Sequence, residues 1–208
     1  MDIQFYGANC CVLSSKGVRV VIDDNLEELG LKTVAKPGDI LLFTGSHAAS
    51  AADPKIVIAG PGEYEVSGLS ITGIAARAHI DEPNSKSAAM YRIVTDDVTY
   101  LVTGHIYPDL SEDQLEQIGM IDVMIVPIGG SGFTLDAGGA MQVIKKVEPK
   151  LVIPTHYADD ALHFVVPQQA LEQALKNMGM EPKETVTKLR FKPAEASDAT
   201  QLVVLTRS

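Results

Sequence analysis

Apolar and polar residues alternate from the start of the chain. Ile3 and Phe5 stand between polar neighbours, and two apolar runs, 11–13 and 18–22, flank a stretch whose Lys16-Gly17 pair suits a tight turn. The pattern predicts an antiparallel meander. A run at 40–43 follows the turn signal Pro37-Gly38 and opens directly into Thr44-Gly45-Ser46-His47. Two short runs lie between 56 and 74, divided by Gly60-Pro61-Gly62 and by Ser67-Gly68, and strands at 90–94 and 99–103 follow a polar loop, 78–87.

Downstream, the apolar period changes. Residues 111–118 read as a helix, with Ser111 as N-cap and Glu112 and Asp113 in the first turn, where acidic groups meet the positive end of the helix dipole. A buried strand at 121–128 ends at Gly129-Gly130, helical spacing runs over 136–147, and a strand at 151–153 ends at Pro154-Thr155-His156-Tyr157. Leu171, Ala174, Leu175 and Met178 share one face of a helix at 168–178, and two strands, 185–191 and 201–206, close the chain. Meander first and strand–helix alternation later predict an α/β or α+β architecture of two sheets covered by helices. No stretch has linker composition, so residues 1–208 are expected to form one domain.

Composition narrows the function classes. With 46% hydrophobic and 21% charged residues the chain has enough apolar surface for a sizeable core, which excludes disorder. A net charge of −10 repels phosphate backbones and acidic headgroups, so neither nucleic acid nor a membrane is expected as a partner. Apolar runs fall far short of the ~20 residues that span a bilayer. Asp2 and Gln4 stand where a secretory leader has a basic start and an apolar stretch. Cys10 and Cys11 are adjacent and point to opposite faces of a strand, so they form no disulfide framework. These features predict a cytoplasmic protein acting on a small molecule, with self-association through exposed sheet edges left open.

The histidines carry the candidate chemistry. His47, His79, His105 and His156 each follow a predicted strand and sit in a loop containing Gly, Ser or Pro. Imidazole is a common metal ligand, and strand-end loops bring together side chains distant in sequence. His163, among Ala161, Leu162, Phe164 and Val165, reads instead as a packed structural histidine.

These residues also carry a family resemblance. Gly7-Ala8-Asn9-Cys10-Cys11 with Val20-Val21-Ile22-Asp23, the segment Gly60-Pro61-Gly62-Glu63-Tyr64-Glu65-Val66, and Pro149-Lys150-Leu151-Val152-Ile153-Pro154-Thr155-His156-Tyr157 resemble the metallo-β-lactamase superfamily, in particular its small branch related to ascorbate-6-phosphate lactonase. Asp122 to Gly130, Thr134, Asp136 and Ala140 fit the same pattern. The resemblance implies a four-layer αββα sandwich with a metal site at the sheet edge.

The metal motif departs from that pattern. Where the family has Thr-His-x-His-x-Asp-His, this chain has Thr44-Gly45-Ser46-His47-Ala48-Ala49-Ser50, so only one of four ligands survives. Ala8 replaces the opening histidine of the Gly-His-Ser pattern, and His105, after Gly104, aligns with the bridging aspartate. Two divalent ions with no carboxylate ligand would leave almost uncompensated charge in a partly buried cleft, so a binuclear centre is not expected. The resemblance instead implies at most one ion, Zn²⁺ or another divalent metal, held by His47, His79, His105 and His156. Asp23, Glu63 and Asp81 are candidates for orienting the imidazoles; the alternative for each is a plain strand-end or turn carboxylate.

Three functional readings stay open. One is a metal-dependent hydrolase of a lactone, ester or phosphoester, in which the metal makes a water nucleophilic near neutral pH. Another is a family member without turnover that acts in binding or regulation, as the small inert Ala49 and Ser50 suggest. The third is a metal-free binder whose Gly129, Gly130 and Thr134 bind an anionic group, the alternative there being a tight strand-to-helix turn. Residues 78–87 and 157–167 are the loops expected to set the substrate.

Overall fold

A computed structural model of the chain describes residues 1–45, 53–95, 97–197 and 199–208. Among these residues the strands assemble into two sheets. The first has six strands: β1 (Asp2–Gly7), β2 (Cys10–Ser15), β3 (Val18–Ile22), β4 (Ile40–Leu42), β5 (Ile56–Ile58) and β13 (Leu189–Arg190), in the order β13-β1-β2-β3-β4-β5. The second has eight: β6 (Gly62–Val66), β7 (Leu69–Ala76), β8 (Ala88–Val94), β9 (Thr99–Val102), β10 (Val123–Pro127), β11 (Leu151–Thr155), β12 (Glu184–Val186) and β14 (Gln201–Leu205), in the order β12-β14-β11-β10-β9-β8-β7-β6. The expected opening meander is present, with β1, β2 and β3 antiparallel in sequence.

Period-two alternation sorts the strand residues between faces. Phe5, Leu13, Ile22 and Leu42 of the first sheet meet Ile71, Tyr91, Tyr100 and Ile153 of the second in the inter-sheet core. On the far face of the second sheet, Met90, Leu101, Met124 and Val152 pack against helices α1 (Glu112–Ile118), α2 (Ala137–Val147) and α3 (Leu171–Met178). The far face of the first sheet presents Cys10, Val12, Val21, Leu41 and Phe43, covered by Leu26 of the 3-10 turn Leu26–Leu29 and by Leu162. This is the four-layer αββα sandwich, with a thin fourth layer among the described residues. Cys10 and Cys11 are both buried and unpaired and lie in different cores, as their adjacency requires.

Ser111 caps α1 as the sequence predicts, its hydroxyl accepting from the Gln114 N–H, and the structure adds a reciprocal bond in which the Gln114 side chain accepts from the Ser111 N–H. The expected strand 185–191 is instead two elements. Glu184–Val186 pairs parallel to β14, while Leu189–Arg190 pairs antiparallel to β1, so the chain crosses here from one sheet to the other. The last helix begins at Leu171 and not at 168, because Gln168 and Gln169 are engaged elsewhere: the Gln169 N–H bonds the Gly129 carbonyl at 2.9 Å.

Candidate functional site

Topology decides where the site falls. In the second sheet β9, β10, β11 and β14 run parallel, and in the first β3, β4 and β5 do. The carboxyl ends of parallel strands open into crevices where loops diverge, the usual binding position in open α/β sheets. Asp23 follows β3, Thr44 lies just beyond β4, His105 follows β9, and His156 follows β11 directly. Together with Ala8 and Asn9 after β1 and His79 after β7, they line one cavity of about 340 Å³.

Three of these residues hold left-handed backbone although none is glycine: Ala8 (φ 48), Asp23 (φ 47) and His156 (φ 55). Such conformations persist only where surrounding structure imposes them. Here the His156 N–H donates to the Ala8 carbonyl at 2.8 Å, linking the two sheets across the cleft. The Thr155 hydroxyl donates to the Asn9 side-chain oxygen at 3.0 Å, one layer below.

His105 and His156 meet edge to face, with ring centroids 4.6 Å apart. Each has one ring nitrogen anchored: Nδ1 of His105 lies 3.2 Å from the Phe133 carbonyl, and Nδ1 of His156 lies 3.1 Å from Oε1 of Gln168. A carbonyl only accepts, so each Nδ1 carries the proton and each Nε2 keeps its lone pair. Gln168 is itself fixed by donating Nε2–H to the Val166 carbonyl at 2.9 Å. Burial pushes the His156 imidazole down to about 3, with neighbouring His105 adding to the effect, and burial also lowers His105. Both rings are therefore neutral at pH 7.

His79 comes from the adjacent loop. Its N–H donates to the His105 carbonyl at 2.8 Å, and its Nδ1 is buried with no hydrogen-bond partner among the described residues. Among the described residues, however, no three His, Cys, Asp or Glu side chains group closely enough to hold an ion. His47 lies outside the described residues. As a donor set, neutral imidazoles with anchored Nδ1–H groups and one buried free nitrogen suit a borderline-soft divalent ion.

The three carboxylates expected to orient the imidazoles do other things. Asp23 lines the cavity, but its oxygens accept from the Thr44 N–H at 2.7 Å and the Thr44 hydroxyl at 2.6 Å. Asp81 braces its own loop, accepting from the N–H groups of Ala78 and Ser87 and from the Ser87 hydroxyl. These bonds hold its carboxyl below the usual range. Glu63 is exposed on edge strand β6 and faces a separate recess. A backbone carbonyl and a glutamine take the role assigned to carboxylates, and no local sequence signal marks either.

Gly129, Gly130 and Thr134 lie outside the cavity lining and form the strand-to-helix turn. The Gly130 N–H is spent on the Leu135 carbonyl and the Thr134 N–H on the Gly130 carbonyl, leaving neither for an anion. His163 is exposed and not packed in a core; its ring covers Gly30 and its N–H donates to Leu29. The two loops expected to set the substrate do reach the site, through Ala78, His79, Ile80 and Ser87 and through Phe164, Val165 and Val166.

Burial raises Asp23 to about 6 from 3.8 despite the two Thr44 bonds. A carboxyl raised in the folded state binds protons more tightly there than in the unfolded chain. Its contribution to stability is therefore full below about pH 4 and is lost as pH rises through 6, by about 3 kcal/mol. Urea unfolding of the protein and of Asp23→Asn between pH 4 and 7 should show the parent losing this stability relative to the variant as pH rises, the histidine contributions being common to both. Parallel curves would refute it.

An αββα sandwich with a histidine-lined cleft at the carboxyl ends of both sheets is the architecture of metallo-β-lactamase-type proteins. Residues 2–156 match the beta-lactamase superfamily domain, and the chain belongs to that family. It is 25% identical over 186 residues to the UPF0173 protein of Pyrococcus abyssi, covering 76% of this chain and 83% of that one. A UPF0173 metal-dependent hydrolase of Carboxydothermus hydrogenoformans is 38% identical over 68 residues, a stretch spanning 30% of each chain. The fold is shared with a metallo-β-lactamase superfamily protein of Thermotoga maritima (TM-score 0.76, 23% identity, 99% and 98% of the two chains). It is also shared with a metallo hydrolase of Ignicoccus hospitalis (TM-score 0.60, 17% identity, 92% and 99%). No helix among the described residues is long and apolar enough to cross a membrane.

Proposed function

We propose that the protein is a metal-dependent hydrolase of a small molecule that uses one divalent ion, with Zn²⁺ the best match to the ligands. The observation that carries this reading is the His105–His156 pair, two neutral imidazoles with both Nδ1 atoms anchored and no hydrogen bond to either Nε2 among the described residues. His79, and His47 from the segment after Thr44, are the candidates to complete the ligand set. The name of the Carboxydothermus relative, a metal-dependent hydrolase, supports the same class. A bound ion would act as a Lewis acid and lower the pKa of a water to about 7. The chain's own residues orient the ligands through Phe133 and Gln168, hold them neutral by burial, and keep Asp23 beside Thr44 at the cleft floor.

Elemental analysis after Zn²⁺ titration tests the reading. A stoichiometry near one that is lost in His105→Ala is expected; below about 0.2 in the parent protein, the hydrolase reading falls. The second reading, a family member without turnover, draws on Gly45, Ala49 and Ser50 in place of family ligands. That second reading predicts no stoichiometric metal. Gln168→Ala supplies a finer check, because freeing Nδ1 of His156 should lower Zn²⁺ affinity about 10–100-fold while the ligand itself remains. Competition with a chromogenic chelator reads that loss; an unchanged affinity would remove Gln168 from the site.

A further inference from the structure

The cleft differs from its surroundings in two independent ways. Its lining contains two charged residues, Asp23 and Glu28, both acidic, and no lysine or arginine among the described residues. The neighbouring stretch 46–52 contains none either. Arg77, on the same loop as His79, is turned to its own structure: its guanidinium donates to the Asp81 carbonyl at 2.8 Å and stacks over Tyr107 at 4.0 Å. Phosphate recognition depends on cationic side chains or oriented backbone donors. This cleft offers no cationic side chain among the described residues, the Gly130 and Thr134 N–H groups of the nearby turn are already bonded, and the Asp23 and Glu28 carboxylates would offset the charge of a single divalent ion.

The second feature is the rim. Ile80, Phe133 and Val165 are 67%, 49% and 96% exposed, and they come from three separate loops, after β7, β10 and β11. All three line the cavity mouth, and none belongs to a hydrophobic core cluster. Exposed apolar side chains that converge on a cleft mark a binding surface, since isolated ones would be scattered.

We infer that the cleft takes an uncharged carboxylic ester or lactone bearing a hydrocarbon chain, the chain lying against Ile80, Phe133 and Val165, and that it discriminates against phosphoesters. This rests on the hydrolase reading for the reaction but not for the binding preference. The reaction on such a ligand balances as addition of water: the acyl C–O bond breaks, the water oxygen bonds the acyl carbon, and its proton ends on the released alcohol.

Calorimetric titration of the full chain with two probes of equal chain length tests the inference. The probes are 2-decanone, neutral and not hydrolysable, and octyl phosphate. The ketone should bind at least about tenfold more tightly, and Ile80→Asp and Val165→Asp should each weaken it about tenfold with an unchanged Tm. Equal or tighter binding of octyl phosphate, no measurable ketone binding at ~1 mM, or variants with the parent's affinity would each overturn it. So would self-association of the parent that Val165→Asp abolishes while no probe binds, which would assign the rim to a second copy. Metal content is measured on the same preparations. Loss of metal with intact ketone preference sinks the hydrolase reading alone, whereas stoichiometric metal with no ketone preference sinks this inference alone.

Discussion

Alanine at Gly129 is expected to disable the site without touching a ligand. An added Cβ would lie 2.0 Å from the His156 carbonyl oxygen and 2.2 Å from Oε1 of Gln168. Both are far inside van der Waals contact, and one of them is backbone. The methyl group therefore pushes on His156 from two sides, through its own main chain and through the glutamine that fixes its tautomer. Accommodating it means separating the turn after β10 from the loop after β11, at a cost of about 3 kcal/mol. Chemical denaturation should register that loss, and Zn²⁺ affinity should fall with it. Gly129→Ala with the parent's midpoint would show that the turn yields more readily than its contacts indicate.

The second large effect belongs to His156 itself. His156→Asn removes the imidazole but keeps a side chain that tolerates left-handed backbone, so the loop need not rearrange. Zn²⁺ affinity should drop by about 100-fold or more, since the loss of a ligand exceeds the 10–100-fold expected for loss of its orienting partner. Unfolding experiments on the metal-free protein should show little change, because a neutral, buried ring is replaced by another neutral hydrogen-bonding group. If the variant binds Zn²⁺ like the parent, His156 is a bystander and the single-ion site is misassigned.

Much of the fold is legible in the hydrophobic pattern, because the cores are built largely from strands whose alternation is written residue by residue. The failures have physical causes. In residues 184–191 the apolar positions Val186, Leu189 and Phe191 are put out of step by the polar pair Thr187-Lys188, but the pattern carries no record of which sheet each half joins; the crossover between β12 and β13 is a tertiary choice. The start of α3 is misplaced for a related reason. Gln168 and Gln169 favour helix locally, yet one holds an imidazole and the other caps the glycine turn.

At the site, strand-end placement identifies His79, His105 and His156, since parallel strands deliver their C-terminal loops to one edge. It fails for their partners. Carboxylates are the conspicuous candidates, but Asp23 and Asp81 are consumed by Thr44, Ala78 and Ser87. Phe133 acts through a main-chain carbonyl, which no side-chain motif records.

The thin cover over the first sheet has an evolutionary corollary. Leu29 and Phe164 wall the cleft and also pack against the small core formed by Val21, Leu41 and Phe43. Reshaping the cleft at those positions strips shelter from that core, so new ligand preferences gained there come with a weaker protein. Ile80, Phe133 and Val165 support no core, and selection can vary them almost freely. Divergence in ligand preference among relatives of this chain should accordingly concentrate on those three side chains, while the wall behind them stays put.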